Sequence, residues 1–333
     1  MNPLPCSRRR FLGMGASSLL WASAAKAGRL PLVESQCCSS AASPVDLPAP
    51  AVAGKEVAAR LTVPVYINAK GPYRFVVDTG ADRTVLATEV AAELGLVRGP
   101  QVLLSGVVQT KIAETVSIRH LAFGSIASGN FSVPTVPRSL LDADGYLGLD
   151  FLDGHRVTFD FKAGLLQVSD SRPKLSADWI RPTEARIHAF GSAGHLRSLD
   201  CRVDGVSSAA FVDSGAEVSA ANGPLLAALT RHNPSFGVVG DMGLIDITGG
   251  QIQGKVAMVQ QIRLPGLAFA DCPLVIANFQ VFKAWGLTRS PALLIGMNVL
   301  RQFSRVSIDY RLKELRFDLA SSNAVNVFTE STV

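Results

Sequence analysis

The sequence predicts an all-β protein built as two similar lobes flanking a cleft, with a few short helices. Three features of the 333-residue chain carry that expectation. A short apolar run ending in an acid occurs twice, as Phe75-Val76-Val77-Asp78-Thr79-Gly80-Ala81 and as Ala210-Phe211-Val212-Asp213-Ser214-Gly215-Ala216. Downstream of each lies an apolar block around a glycine, Tyr146-Leu147-Gly148-Leu149-Asp150 and Leu294-Ile295-Gly296-Met297-Asn298. After each block come two strand-like stretches, residues 157–161 and 165–168 in the first half and 306–310 and 314–317 in the second. The order of these features is the same in both halves. The two Asp stand 135 residues apart and the two Gly 148 apart, a drift that loop insertions explain, since loops tolerate changes of length. A repeat of about a hundred residues is too long for a solenoid unit and fits two lobes in one chain.

The length suffices for two domains with real cores. A chain 48% hydrophobic and 18% charged is globular in class, not disordered. Of the net charge of +5, four charges come from Arg8, Arg9, Arg10 and Lys26 in an acid-free N-terminus. The remainder gives no basis for a nucleic-acid partner.

That N-terminus, residues 1–27, reads as a targeting segment. Ser7-Arg8-Arg9-Arg10-Phe11-Leu12 matches the twin-arginine export pattern. The apolar stretch behind it is shorter than the ~20 residues that span a bilayer, and Ala25-Lys26-Ala27 suits cleavage. The expected location is the periplasm or the cell exterior, with no stable membrane span in the mature chain. Residues 28–55, rich in Pro, Ala, Ser and Gly, read as a linker or a pro-segment.

The first lobe is expected over 56–170. Residues 60–67 alternate as a strand, Lys70-Gly71-Pro72 reads as a turn, and 73–77 is the strand leading to Asp78. Residues 84–94 read as a helix ended by Gly95. Residues 102–108 and 112–123 read as a hairpin around Gly106. Residues 171–195 connect the lobes. The second lobe spans 196–320, with a strand at 199–203, a turn at Asp204-Gly205, a helical piece at 225–229 and a hairpin over 243–264. Gly249-Gly250 sits at that hairpin's tip, where glycine suits the turn. The tail 321–333 is polar. Cys201 and Cys272 both fall in strand-like segments of the second lobe. An exported protein permits a bridge between them, and two buried free thiols are the alternative.

With these residues in view, the chain resembles the aspartic proteases. Asp-Thr-Gly-Ala followed some seventy residues later by an apolar-apolar-Gly block is similar to their signature, and Asp-Ser-Gly-Ala with Leu-Ile-Gly-Met-Asn resembles it again. The Ala after each Gly is closer to the retropepsin branch than to the pepsin branch. The resemblance covers roughly residues 60–170 and 196–318. It implies the bilobal acid-protease fold, with Asp78 and Asp213 as the catalytic pair. It implies Thr79 and Ser214 as hydroxyls clamping the two turns, with Gly80, Ala81, Gly215 and Ala216 completing the supporting loops. The hairpin carrying Gly106 stands where the family places its flap, without a flap tyrosine of the pepsin type, and the hairpin carrying Gly249-Gly250 is its match; the resemblance leaves one flap, as in pepsin-like enzymes, or two, as in retroviral dimers. A peptide or protein substrate, a monomer and no cofactor are expected.

The chemistry follows from two carboxyls about 3 Å apart, which share one proton because both cannot ionise easily. The ionised member takes a proton from a water, the protonated member hydrogen-bonds the substrate carbonyl, and the water attacks. The pair titrates as a unit. Ala81 and Ala216 offer no hydroxyl to favour the charged form, so activity is expected from mildly acidic to near-neutral pH. A catalytically silent peptide-binding protein on the same scaffold is the alternative.

Other motifs lead elsewhere. Gly249-Gly250-Gln251-Ile252-Gln253-Gly254-Lys255 imitates a phosphate loop but continues with Val256 and alternates as a hairpin. The five histidines show no zinc-ligand spacing, and no Gly-x-Ser-x-Gly elbow occurs. Asp160 and Asp309 are expected to be structural, and Asp150 and Asn298 to bond local backbone.

Overall fold

The computed structural model describes residues 51–53, 55–57, 60–124, 126–171, 184–189 and 197–319. The segment expected to direct export, most of the expected linker, much of the expected connection and the tail lie outside the described residues.

The first half runs β1 (Ala51–Ala53), β2 (Lys55–Val57), β3 (Arg60–Ile67), β4 (Lys70–Val77), β5 (Val85–Ala87), α1 (Thr88–Glu93), β6 (Val102–Ser105) and β7 (Thr110–Ala113). It continues with β8 (Thr115–Phe123), β9 (Ile126–Val136), α2 (Arg138–Leu141), β10 (Gly145–Leu147), α3 (Leu149–Leu152), β11 (His155–Asp160) and β12 (Leu165–Asp170). The second half runs β13 (Glu184–His188), β14 (Arg197–Val203), β15 (Val206–Val212), β16 (Ala220–Ala221), α4 (Gly223–His232), β17 (Val238–Ile245) and β18 (Gln251–Leu264). It ends with β19 (Leu267–Ile276), α5 (Gln280–Ala284), β20 (Ala292–Ile295), α6 (Met297–Leu300), β21 (Phe303–Asp309) and β22 (Glu314–Leu319). The protein is therefore mostly β with short helices.

Two seven-stranded sheets share a pattern of six strands, to which β2 adds a seventh in one and β17 a seventh in the other. One has the order β2-β3-β4-β10-β5-β9-β8 and closes by a β3–β8 pairing. The other has the order β14-β15-β20-β16-β19-β18-β17 and closes by a β14–β18 pairing. In each, the strand ending in the repeated Asp lies parallel to the strand ending in the repeated apolar-Gly block: Val77 opposite Leu147, and Val212 opposite Ile295. Parallel strands flanked on both sides read as continuous apolar runs. Phe75, Val76 and Val77 are accordingly all buried, as are Phe211 and Val212. A third sheet, β1-β12-β11-β21-β22-β13, joins strands from both halves. At its seam β11 and β21 run antiparallel with Thr158 opposite Ser307. Arg156 pairs with Asp309 at 2.8 Å and Arg305 with Asp160 at 2.7 Å across that seam, the structural role expected of the two aspartates.

Several local expectations are corrected. The linker ends before residue 55, because β1 pairs with β12 and β2 with β3; three-residue strands are too short to show a period. Likewise β13, within the expected connection, pairs with β22. The β3–β4 reversal uses Asn68 and Ala69 at φ 50° and 65°, the conformation of a two-residue hairpin turn, and Lys70-Gly71-Pro72 already belongs to β4. The helix expected over 84–94 begins only at Thr88, because Val85 and Leu86 pair with β10. Tertiary ladder partners override a helical spacing. The helix expected at 225–229 extends over α4, capped by the Asn222 side chain, which accepts from Leu225 N at 3.1 Å. In the first hairpin β6 pairs with β7, while β8 joins the large sheet. The second hairpin starts earlier than Gly243, at Val238.

Cys201 and Cys272 are buried free thiols. Through Arg202 opposite Arg263, Cys201 lies level with Leu264, whereas Cys272 faces Val259. Five residues of strand separate those positions, about 17 Å, too far for a bridge. Burial pushes the Cys201 thiol up to about 12 and the Cys272 thiol up to about 11.

Candidate active site

Each Asp stands where a buried strand ends and the backbone turns. Asp78 N donates to Leu147 O at 2.9 Å, and Asp213 N donates to Ile295 O at 3.0 Å. The loop beyond each Asp folds back on its own carboxylate. Gly80 N donates to Asp78 Oδ1 at 2.9 Å. Gly215 N and Ala216 N donate to Asp213 Oδ1 at 2.8 and 3.2 Å.

The two loops are also bound to each other. Thr79 N donates to Ser214 Oγ at 3.2 Å, and Ser214 N donates to Thr79 Oγ1 at 3.0 Å. Ser214 Oγ donates to Val77 O at 2.7 Å, and Thr79 Oγ1 donates to Val212 O at 3.3 Å. This reciprocal set brings the carboxylates together. A methyl group on Gly80 would stand 2.5 Å from Asp213 Cγ, and one on Gly215 would stand 2.5 Å from Asp78 Oδ1. Each glycine therefore makes room for the acid of the opposite loop. The Asp78 and Asp213 side chains hydrogen-bond one another.

Both acids are nearly buried, at 9% and 7% exposure. Burial, then the facing Asp213 charge, raise Asp78 well above the ordinary carboxyl value; the Gly80 N–H and the Arg60 guanidinium pull the other way. Such a pair retains a proton above the usual carboxylate range.

Beneath each loop lies a matched lock. Thr84, six residues after Asp78, donates through N and Oγ1 to Asp150 Oδ1 at 2.8 and 2.7 Å, and its hydroxyl accepts from Gly148 N at 3.1 Å. Ser219, six residues after Asp213, donates to Asn298 Oδ1 at 2.9 and 2.8 Å and accepts from Gly296 N at 3.0 Å. Asp150 and Asn298 thus bind residues 66 and 79 positions away, which corrects the expectation of purely local bonds. A methyl on Gly148 would stand 2.7 Å from Thr84 N, and one on Gly296 would stand 2.7 Å from Val218 O. Only glycine lets the two segments meet.

Two further residues were not singled out by the sequence. Arg60, buried in β3, donates to the Tyr146 hydroxyl, lies over that ring at 5.4 Å and reaches Glu217 at 3.4 Å. It ties the first sheet to the residue just after the second Asp loop. Tyr310 is 5% exposed, directs its hydroxyl at Thr79 and feels both Asp charges, but makes no hydrogen bond of good geometry. Burial, then Asp78 and Asp213, raise its phenol well above the ordinary value. The shared offset of six residues from each Asp could have revealed Thr84 and Ser219. Arg60 carries no such marker in the sequence.

Each hairpin glycine also lies against the opposite half of the chain. Gly106 lies close to Asp246 and Thr248, Gly250 lies close to Gln109 and Asp246, and Gly249 lies beside Leu140. Both hairpins exist, and their tips touch.

Residues 63–151 match the aspartyl protease family model. That segment runs from β3 through the Asp78 loop and the first hairpin to α3. The match supports an aspartic protease family, a hydrolase of peptide bonds in general class, for this chain. No curated protein matches it. Among the described residues, no helix is long and apolar enough to cross a membrane, and no cluster of His, Cys, Asp and Glu suited to a metal occurs.

Proposed function

We propose that the chain is an exported aspartic endopeptidase whose catalytic pair, Asp78 and Asp213, comes from two halves of one duplicated chain. One observation carries this reading: the reciprocal Thr79–Ser214 bonds hold two buried carboxyls against each other at the ends of matched strands. The two matched sheets are the two lobes of a retropepsin-like, bilobal acid-protease fold, and the hairpins are two flaps. Because both acids lie in one chain, a monomer suffices.

The raised carboxyl supplies the shared proton. One carboxylate oxygen takes a proton from a water held between the acids as that water attacks the peptide carbonyl. The protonated partner donates to the carbonyl oxygen, whose developing charge the hydrogen bond stabilises. Collapse of the tetrahedral species moves a proton to the leaving amine, which restores the starting state. No covalent link to the protein forms, and no cofactor takes part.

Export follows from Arg8-Arg9-Arg10 and the small-residue cleavage pattern at Ala25-Lys26-Ala27. Changing Arg8 and Arg9 to Lys should retain the protein in the cytoplasm.

The catalytic reading is tested with a mixed peptide library across pH 3 to 8, with and without a peptide whose scissile bond is replaced by a secondary alcohol. Such a peptide mimics the tetrahedral species and should bind far more tightly than a substrate. Cleavage that the alcohol peptide abolishes is expected. Tight binding of library peptides without cleavage at any pH would favour the silent binding scaffold instead.

A further inference from the structure

The tips of the two hairpins meet through one carboxylate. Asp246 stands at the turn between β17 and β18 and is 9% exposed. Its Oδ1 accepts from Thr248 N at 2.9 Å, Thr248 Oγ1 at 2.6 Å and Gly250 N at 2.9 Å, all within its own hairpin. Its Oδ2 faces the other hairpin and accepts from Val108 N at 2.8 Å and Gln109 N at 3.3 Å. Five donors converge on one acid, and among the described residues no cation pairs with it. Bonds of this charge-assisted kind are the stronger ones.

The surroundings are shaped for that contact. A methyl on Gly106 would stand 2.6 Å from Asp246 Cγ, and one on Gly250 would stand 2.7 Å from Gln109 Cγ. Glycine at both tips lets the hairpins close to bonding distance. Each tip also docks on the opposite half of the chain. Val107 packs against the apolar cluster of Phe211, Phe279 and Phe282, against which Ala216 of the second Asp loop also packs, and Val107 O accepts from Val281 N at 3.3 Å. Gly249 lies 3.6 Å from Leu140 Cδ1 of α2 by the position its methyl would take.

We infer that Asp246 is a positioning residue, a latch that holds the two hairpin tips together on the apolar cluster they share with the second Asp loop and must release Val108 and Gln109 each time a peptide chain enters. The inference rests on the peptidase reading of that site. The latch is asymmetric, since the second hairpin supplies the acid and the first supplies only backbone N–H groups. The corresponding turn of the first hairpin, Gly106 to Gln109, contains no acid. Closed tips exclude water from the site, and opening is the conformational step that admits substrate.

Asp246→Asn separates the two functions of this side chain. An amide oxygen in place of Oδ1 keeps the bonds to Thr248 and Gly250. An amide nitrogen in place of Oδ2 sets donor against donor at Val108 and Gln109. Amide hydrogen exchange, followed residue by residue by NMR on the full chain, should show Val108 and Gln109 losing protection by at least about tenfold. Thr248, Gly250, Asp78 and Asp213 should keep theirs. Unchanged exchange at Val108 and Gln109 would overturn the latch, and so would equal loss at Thr248 and Gly250, which would mean that the turn itself had melted. This readout needs no turnover, so an inactive protein would contradict the peptidase reading without touching the latch. If both hold, Asp246→Asn should also lower KM for a long extended peptide, because the open form is no longer a minor population.

Discussion

The two halves agree closely at the base of the site and part company around it. Beneath the acids, the first half sets Asp78, Thr84, Gly148 and Asp150 in the arrangement that the second repeats with Asp213, Ser219, Gly296 and Asn298. Around them symmetry fails. One hairpin is a separate two-stranded sheet, β6–β7, whereas the other continues β18, a 14-residue strand of the large sheet. Tyr310 lies under the loops, while its counterpart in the first half is Phe161, stacked on Phe159 at 6.0 Å. The comparison teaches which parts the chemistry constrains on both sides. Bringing two carboxyls together requires equivalent turns, whereas access and tuning require only one half to supply each device.

The largest expected effects come from the matched glycines. Gly148→Ala and Gly296→Ala each drive a methyl into backbone and should destabilise by about 3 kcal/mol, measured by urea unfolding. A large effect in one half alone would break the equivalence.

The cross-bonded hydroxyls sharpen the comparison. Ser214→Ala removes a 2.7 Å bond to Val77 O and leaves Thr79 N without a partner, whereas Thr79→Ala removes a 3.3 Å bond to Val212 O and leaves Ser214 N without a partner. Both should cost about 2 kcal/mol, because a buried unsatisfied group carries its full desolvation penalty, and Ser214→Ala the more, because the carbonyl bond it loses is the shorter.

Linkage at Asp78 sets the next effect. Its folded pKa is raised above the ordinary 3.8, so between those values the native state binds the extra proton. Wild-type stability should therefore fall as pH rises from about 4 to the raised folded value. Asp78→Asn cannot ionise and should melt higher than the wild type at neutral pH, with the difference vanishing near pH 3. A Tm series against pH checks the sign.

The smallest effect is at the mismatched pair. Tyr310→Phe removes a buried hydroxyl whose approach to Thr79 makes no hydrogen bond of good geometry, and should leave stability unchanged or raise it by up to about 1 kcal/mol. Phe161→Tyr, at a partly exposed position, should be neutral. A clear loss on Tyr310→Phe would show that this hydroxyl has work to do at Thr79.

What was legible in the sequence follows the same division. Apolar runs ending in Asp and the apolar-Gly blocks announce themselves because buried parallel strands need continuous apolar residues, and the repetition multiplies the signal. The hydroxyl locks were visible only as an offset from each Asp. The helix expected at 84–94 failed because Val85 and Leu86 serve a ladder whose partners lie about sixty residues on. Arg60, Tyr310 and Asp246 were hidden for a related reason. Each acts across a long separation in the chain, and each occurs once, so neither periodicity nor repetition marks it.

The measurement that bears most directly on the paired-carboxyl account is peptide cleavage by the wild type beside Asp78→Asn and Asp213→Asn, with folding checked for each. The account predicts that either change lowers kcat by at least about a thousandfold, since general acid–base catalysis by both members is lost together. Cleavage that survives in either variant, at any pH between 3 and 8, would contradict it.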